Sequence, residues 1–123
     1  MTLIEAINGI DAVKPNTYDQ SEKIRWLSQL DGKIKAEIID THEGGDAVVF
    51  NGYTEDTPLD TVLLVAAPYD EIYLLWLEAK IDYANKEYGK YNNSSSMYNN
   101  AYNDYWKYYN RTHVAFSKPR KYF

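Results

Sequence analysis

His42 and Glu43, with Asp40 and Asp46 close by in "DTHEGGD", are the residues whose types come nearest to chemistry, an imidazole among carboxylates that suits a general base or a divalent metal. Their spacing matches no metal-binding loop, so the stretch reads as a solvated helix end and no metal is expected. His113 and Asp70 stand apart from this group. Glu78 and Asp82 are one helical turn apart, but such a pair describes a solvated face, with Lys86 a further turn on as an ion-pair partner for Asp82. The chain has no cysteine, which removes thiol catalysis, disulfides and thiolate metal sites. The only adjacent glycines are Gly44 and Gly45, and neither a P-loop nor a dinucleotide fingerprint nor a nucleophile elbow occurs. Neither catalysis nor a cofactor is expected.

The other unusual stretch is "YNNSSSMYNNAYNDYWKYYN", Tyr91 to Asn110, whose composition suits disorder or a low-complexity tract. Its tyrosines argue otherwise. Tyr98, Tyr102, Tyr105 and Tyr109 recur at four, three and four, and Met97, Ala101 and Tyr108 widen the same stripe, so the period is helical. A buried tyrosine ring still needs water or a partner for its hydroxyl, which suits a semi-wet interface. Tyrosines interleaved with Asn, Lys107 and Arg111 also suit a stacking surface for single-stranded nucleic acid, yet that job needs a run of positive charge that this helix lacks. A carbohydrate platform would use the same rings, but no strand-rich fold surrounds them.

The 123 residues bound a single domain with a real core, roughly two thirds of the unfolded surface being buried in such a chain. No apolar run approaches a membrane span, and "MTLIEAINGIDAV" carries acidic residues where a signal peptide would carry lysines, so a soluble cytoplasmic protein is expected. The sequons at Asn93 and Asn110 are then chance. The net charge of −5 is uneven: residues 1–89 hold seven Lys and Arg against seventeen Asp and Glu, or −10, and residues 90–123 hold six against one, or +5. An acidic body with a basic end suits an acidic neighbour, a second copy included, better than duplex DNA.

The elements that must carry these residues are mainly α-helical. Thr2 and Glu5 form a capping box, and Leu3, Ile7 and Ile10 predict a first helix to about Val13. Asp19 and Glu22 repeat the box, and Ile24, Leu27, Leu30, Ile34 and Ile38 predict a long second helix, unbroken at Gly32 and reaching about Thr41. "HEGGDAVVFNGYTEDTPLD" predicts a turn-rich loop over 42–68 or a small β-hairpin, with "AVVF" and "TVLLVAA" as short strands; an ordered loop of this length is usually functional. The third helix starts with Pro68 in its first turn and runs antiparallel to the second, with apolar residues on two faces that imply contact on two sides. Gly89 and "NNSSS" predict a turn, with Asn93 or Ser94 capping a fourth helix. The body is thus residues 1–111, about four helices, and residues 112–123 are an extended tail that becomes ordered only against something else.

"KIRWLSQLDGKI", "APYDEIYLLWLEAKIDYANKEY" and "YNNSSSMYNNAYNDYWKYYNRTH", roughly half the chain, together give it a pattern that resembles the head-tail connector proteins of tailed phages, also called adaptor or head-completion proteins. The resemblance implies a helical virion protein of the neck, made in the bacterial cytoplasm. Such subunits assemble, commonly twelve-fold, into a ring beneath the portal that extends the DNA channel and offers a platform to a tail or stopper component. It implies DNA passing without sequence-specific binding, and the acidic body suggests a lumen to which sliding DNA does not stick. It also implies a C-terminal extension that docks on the portal, here Lys118, Arg120, Lys121, Tyr122 and Phe123. The loop from Gly44 to Pro58, and the stripe of Tyr98, Tyr102, Tyr105 and Tyr109, are the further candidates for contact with a neighbour. The alternative is a small cytoplasmic module that uses the tyrosine face for protein or single-stranded nucleic acid.

Overall fold

A computed structural model describes residues 1–116 and consists mainly of four α-helices, with no β-strand among the described residues. The first, α1 (Leu3–Val13), starts as its sequence predicts: the Glu5 N–H donates to the Thr2 hydroxyl at 3.2 Å and the Thr2 N–H to the Glu5 carboxylate at 2.8 Å. Leu3, Ala6, Ile7 and Ile10 form its buried face. The second, α2 (Gln20–Glu37), has Asp19 as its N-cap residue, but no side-chain cap bond forms there. Glu22, expected to complete the box, instead takes Arg25 one turn further on.

Ile24, Leu27, Leu30 and Ile34 of α2 are buried as the period requires, each contributing roughly 1.5–3 kcal/mol. The helix is expected to run unbroken to Thr41 but ends at Glu37, and a 3₁₀ turn, Ile39–Thr41, follows. Thr41 there turns its hydroxyl back onto the Ile38 carbonyl at 2.8 Å. The double glycine explains the sharpness of what comes next. Gly44 lies at φ 83°, and a Cβ on Gly45 would stand 2.2 Å from the Ile39 carbonyl oxygen, so neither position accepts a side chain without a shift.

The expected hairpin between the second and third helices does not form. "AVVF" begins in a 3₁₀ turn, Gly45–Ala47, and continues as irregular chain; "TVLLVAA" makes only one bridge, Val62 to Thr2. The segment is a strap laid along α2 and back across the start of α1. The Tyr53 N–H donates to the Ser28 hydroxyl at 3.0 Å, the Ile4 N–H to Leu59 O and the Leu3 N–H to Thr61 O at 3.0 Å, and the Leu63 N–H to Met1 O at 2.9 Å. These helix-start donors and remote acceptors replace the partner strand. Leu63 and Val65 plug the core while Val49 and Val62 stay exposed.

The third helix, α3 (Ile72–Ala84), begins later than predicted, because Pro68 lies in a turn closed by the Tyr69 N–H on Ala66 O rather than in the first helical turn. It also ends earlier. Lys86 takes φ 60° and the Glu87 N–H reaches back to Asp82 O at 3.0 Å, a stop usually given to glycine. The fourth, α4 (Tyr88–Thr112), then runs through Gly89 and "NNSSS", where a turn and a new cap are predicted. Ser95 and Ser96 turn their hydroxyls back onto the Asn92 carbonyl within the helix, and Ser94 gives its hydroxyl to Asp82 of α3.

Contact order fixes the directions. Tyr83 meets Tyr91, Trp76 meets Tyr98 and Tyr69 meets Tyr105, so α3 is antiparallel to α4. Trp76 bonds the Trp26 carbonyl and Tyr73 bonds Asp31, so α3 is also antiparallel to α2. Gly9 lies on Leu74, and Lys14 pairs with Asp82, which places α1 alongside α3 in the same direction. After α4 the chain runs beside the α2 end: the Glu43 N–H donates to Val114 O at 2.8 Å and the Phe116 N–H to Thr41 O at 3.2 Å. The first residues of the predicted tail are therefore ordered against the chain itself. No helix among the described residues is long and apolar enough to cross a membrane.

Candidate partner-binding surface

The tyrosine stripe of α4 turns inward. Tyr98, Tyr105 and Tyr109 are more than nine-tenths buried and Tyr102 is half-buried. Tyr98 packs on Trp76 at 4.9 Å between centroids, Tyr69 stacks on Tyr108 at 4.6 Å and meets Tyr105 at 5.9 Å, and Tyr109 meets the His42 ring edge-on at 4.8 Å. His113 covers the other side of Tyr109 at 3.8 Å with the rings almost parallel. Each such pair adds about 0.5–1.5 kcal/mol beyond its buried area. Tyr102 donates its hydroxyl to Glu37 at 2.6 Å. Burial pushes the hydroxyls of Tyr98, Tyr102, Tyr105 and Tyr109 up, so all four stay neutral. The Tyr98 hydroxyl is buried without a hydrogen-bond partner among the described residues. The four predicted site residues are thus brought into one line, but the ring faces of Tyr98, Tyr105 and Tyr109 are spent on their own chain and offer no open platform for a base. Lys118, Arg120, Lys121, Tyr122 and Phe123 lie outside the described residues.

Three buried polar side chains decide how the surface elements are held. Asp31, fully buried on the apolar side of α2, accepts the Tyr73 hydroxyl at 2.7 Å, the Tyr53 hydroxyl at 2.5 Å and the Leu64 N–H at 3.1 Å. Tyr73 in turn accepts the Val65 N–H at 2.7 Å, so one carboxylate ties α2, α3 and both limbs of the strap together. Burial pushes the Asp31 carboxyl above its ordinary range against the pull of these three donors, and it pushes both tyrosines up as well. Sequence reasoning passed Asp31 over. Its signal was position, four residues after Leu27 and three before Ile34, on the buried stripe.

His42 is not the solvated helix end that its sequence suggests. It is buried, with Nδ1 2.6 Å from Ile38 O and Nε2 2.6 Å from the Asn110 side chain, so it joins the end of α2 to the end of α4. Asp40 is held by Lys35, and among the described residues no three His, Asp or Glu side chains converge as metal ligands would. Asp82 is likewise buried and pairs with Lys14 at 2.7 Å and Ser94 at 2.8 Å; the predicted Lys86 partner is carried away by its left-handed backbone.

What faces outward is a line of cations on aromatic rings. Lys80 Nζ stands 4.5 Å over the Trp76 ring, and Lys33 Nζ 4.9 Å over Tyr102 and 6.0 Å over Tyr98. Trp76 and Tyr98 also wall a groove of about 420 Å³ between α3 and α4, with Lys80, Tyr83, Tyr91 and Asn99 on its sides. Large apolar side chains stay exposed on opposite flanks of α4: Met97 (56%), beside Lys14 and Glu78, and Trp106 (45%), beside Glu37 and Ile38. Fold and surface together define a small helical protein with an aromatic core and several exposed large apolar side chains. Comparison of the chain with models of protein families, with curated proteins and with solved structures returned no match.

Proposed function

We propose that the chain is a structural subunit of a phage head-tail connector, forming a ring beneath a portal that extends the DNA channel and receives a tail or stopper component. The observation that carries this reading is the scatter of large exposed apolar side chains over separate faces of a small rigid body: Met97 and Trp106 on opposite flanks of α4, Val49 (76%) and Val62 (68%) on the strap. A subunit flanked by neighbours on two sides would cover such side chains on assembly. The resemblance of the three helical segments supports the same assignment. The charge supports it too, because residues 1–116 hold ten Lys and Arg against eighteen Asp and Glu, and a body at −8 repels a sliding duplex rather than gripping it. The C-terminal Lys118, Arg120, Lys121, Tyr122 and Phe123 are the residues assigned to the portal in this reading.

The test is assembly. The genes flanking its own are searched for a portal, and the purified chain is mixed with that portal, sized and imaged by electron microscopy. A ring of subunits on one end of the portal is expected. A strict monomer that also ignores the portal would overturn the reading.

A further inference from the structure

Among the described residues neither Lys33 nor Lys80 has a carboxylate within ion-pair distance, although the body is strongly acidic. The charges that act on Lys80 are those of Arg25 and Glu22 of α2, and those two are already paired with each other. Burial, with the Arg25 charge, pulls the Lys80 ammonium down, so the cation is held partly out of water with the Trp76 ring and the already paired Glu22 as compensation. An arriving carboxylate would relieve that cost.

The same chain carries a shape-fixed source of carboxylates elsewhere. The tip of the strap closes on itself: the Thr54 N–H donates to the Thr57 hydroxyl at 2.8 Å, the Asp56 N–H to the Thr54 hydroxyl at 3.2 Å and the Thr57 N–H to Thr54 O at 3.0 Å. Glu55 and Asp56 project from this turn, both exposed and neither in an ion pair among the described residues. Arg25, which shares a shallow groove with them, is held by Glu22. A preformed knob loses little freedom on docking.

We propose that the strap tip, with Glu55 and Asp56, docks into the Trp76–Tyr98 groove of a second copy and pairs with its Lys80 and Lys33. Two different surfaces then meet head to tail, the kind of contact that closes into a ring. The assignment rests on the ring reading above and names the surfaces that form it.

The absence of cysteine makes the test clean. Full-length Glu55→Cys and Lys80→Cys variants, mixed and treated with a short bismaleimide in the presence of portal, are expected to yield a dimer cross-linked between the two kinds of copy. Lys33→Glu/Lys80→Glu is expected to weaken assembly by about tenfold or more, as is Glu55→Lys/Asp56→Lys, while the two variants mixed together assemble again. Recovery on mixing also excludes misfolding as the cause. If wild-type chains form rings on the portal while neither charge reversal weakens them, or if mixing restores nothing, the docking surfaces are wrong and the ring stands. If wild-type chains neither self-associate nor bind the portal, both readings fall.

Discussion

Replacing Asp31 by Asn tests whether one buried carboxylate holds the strap. Asp31 offers two acceptor oxygens to three donors, Tyr73 on one and Tyr53 with Leu64 on the other. Asparagine offers one acceptor and turns an NH₂ toward whichever donors remain. At least one buried hydroxyl or N–H loses its acceptor, at about 1–3 kcal/mol, and Asp31→Ala, which strands all three, costs about 3 kcal/mol or more. Urea unfolding followed by circular dichroism reads these values as a lowered midpoint at unchanged slope. Amide exchange at Leu64 and Val65 is expected to speed up in the same variants, since both N–H groups depend on this knot. The pH dependence has a definite sign. The folded carboxyl lies above its unfolded value, so the folded chain holds that proton more tightly. Its contribution is complete in acid and is lost as pH rises through the folded value. The gap between wild type and Asp31→Asn therefore widens from pH about 7 to pH about 4, while the remaining carboxylates cancel in the comparison. An Asn variant within about 0.5 kcal/mol of wild type, with Leu64 exchange unchanged, would refute the account of the strap.

Thr2→Ala removes the α1 cap and is expected to lower stability by about 1 kcal/mol, seen as a drop in Tm. Gly45→Ala drives a Cβ into the Ile39 carbonyl and is expected to cost roughly 1–3 kcal/mol in urea unfolding, whereas Gly89→Ala, with nothing within 4 Å and a helical backbone, is expected to raise stability by up to about 1 kcal/mol. Tyr98→Phe deletes a buried hydroxyl with no partner among the described residues and is expected to leave stability equal or higher, while Tyr102→Phe, which loses the Glu37 bond, lowers it by about 0.5–1.5 kcal/mol; the opposite order would contradict the inward packing of the stripe.

The sequence by itself determined the helical class, the Thr2–Glu5 start, the aliphatic face of α2 and the helical rather than disordered state of the tyrosine-rich stretch. Each of these depends on residues three or four positions apart, which a period reveals. Tertiary structure decided everything that depends on a distant partner. The strap is no hairpin because its backbone groups bond to Met1, Leu3, Ile4, Ser28 and Asp31, residues 25 or more positions away for most of its length. α4 starts at Tyr88 because Lys86 adopts the left-handed stop that Gly89 was expected to supply. His42, a surface residue by composition, is buried because Asn110 and Tyr109 arrive from the far end of the chain to cover it. Period is a local property that side-chain spacing records, and the choice of hydrogen-bond partner is not; it waits until the helices have packed.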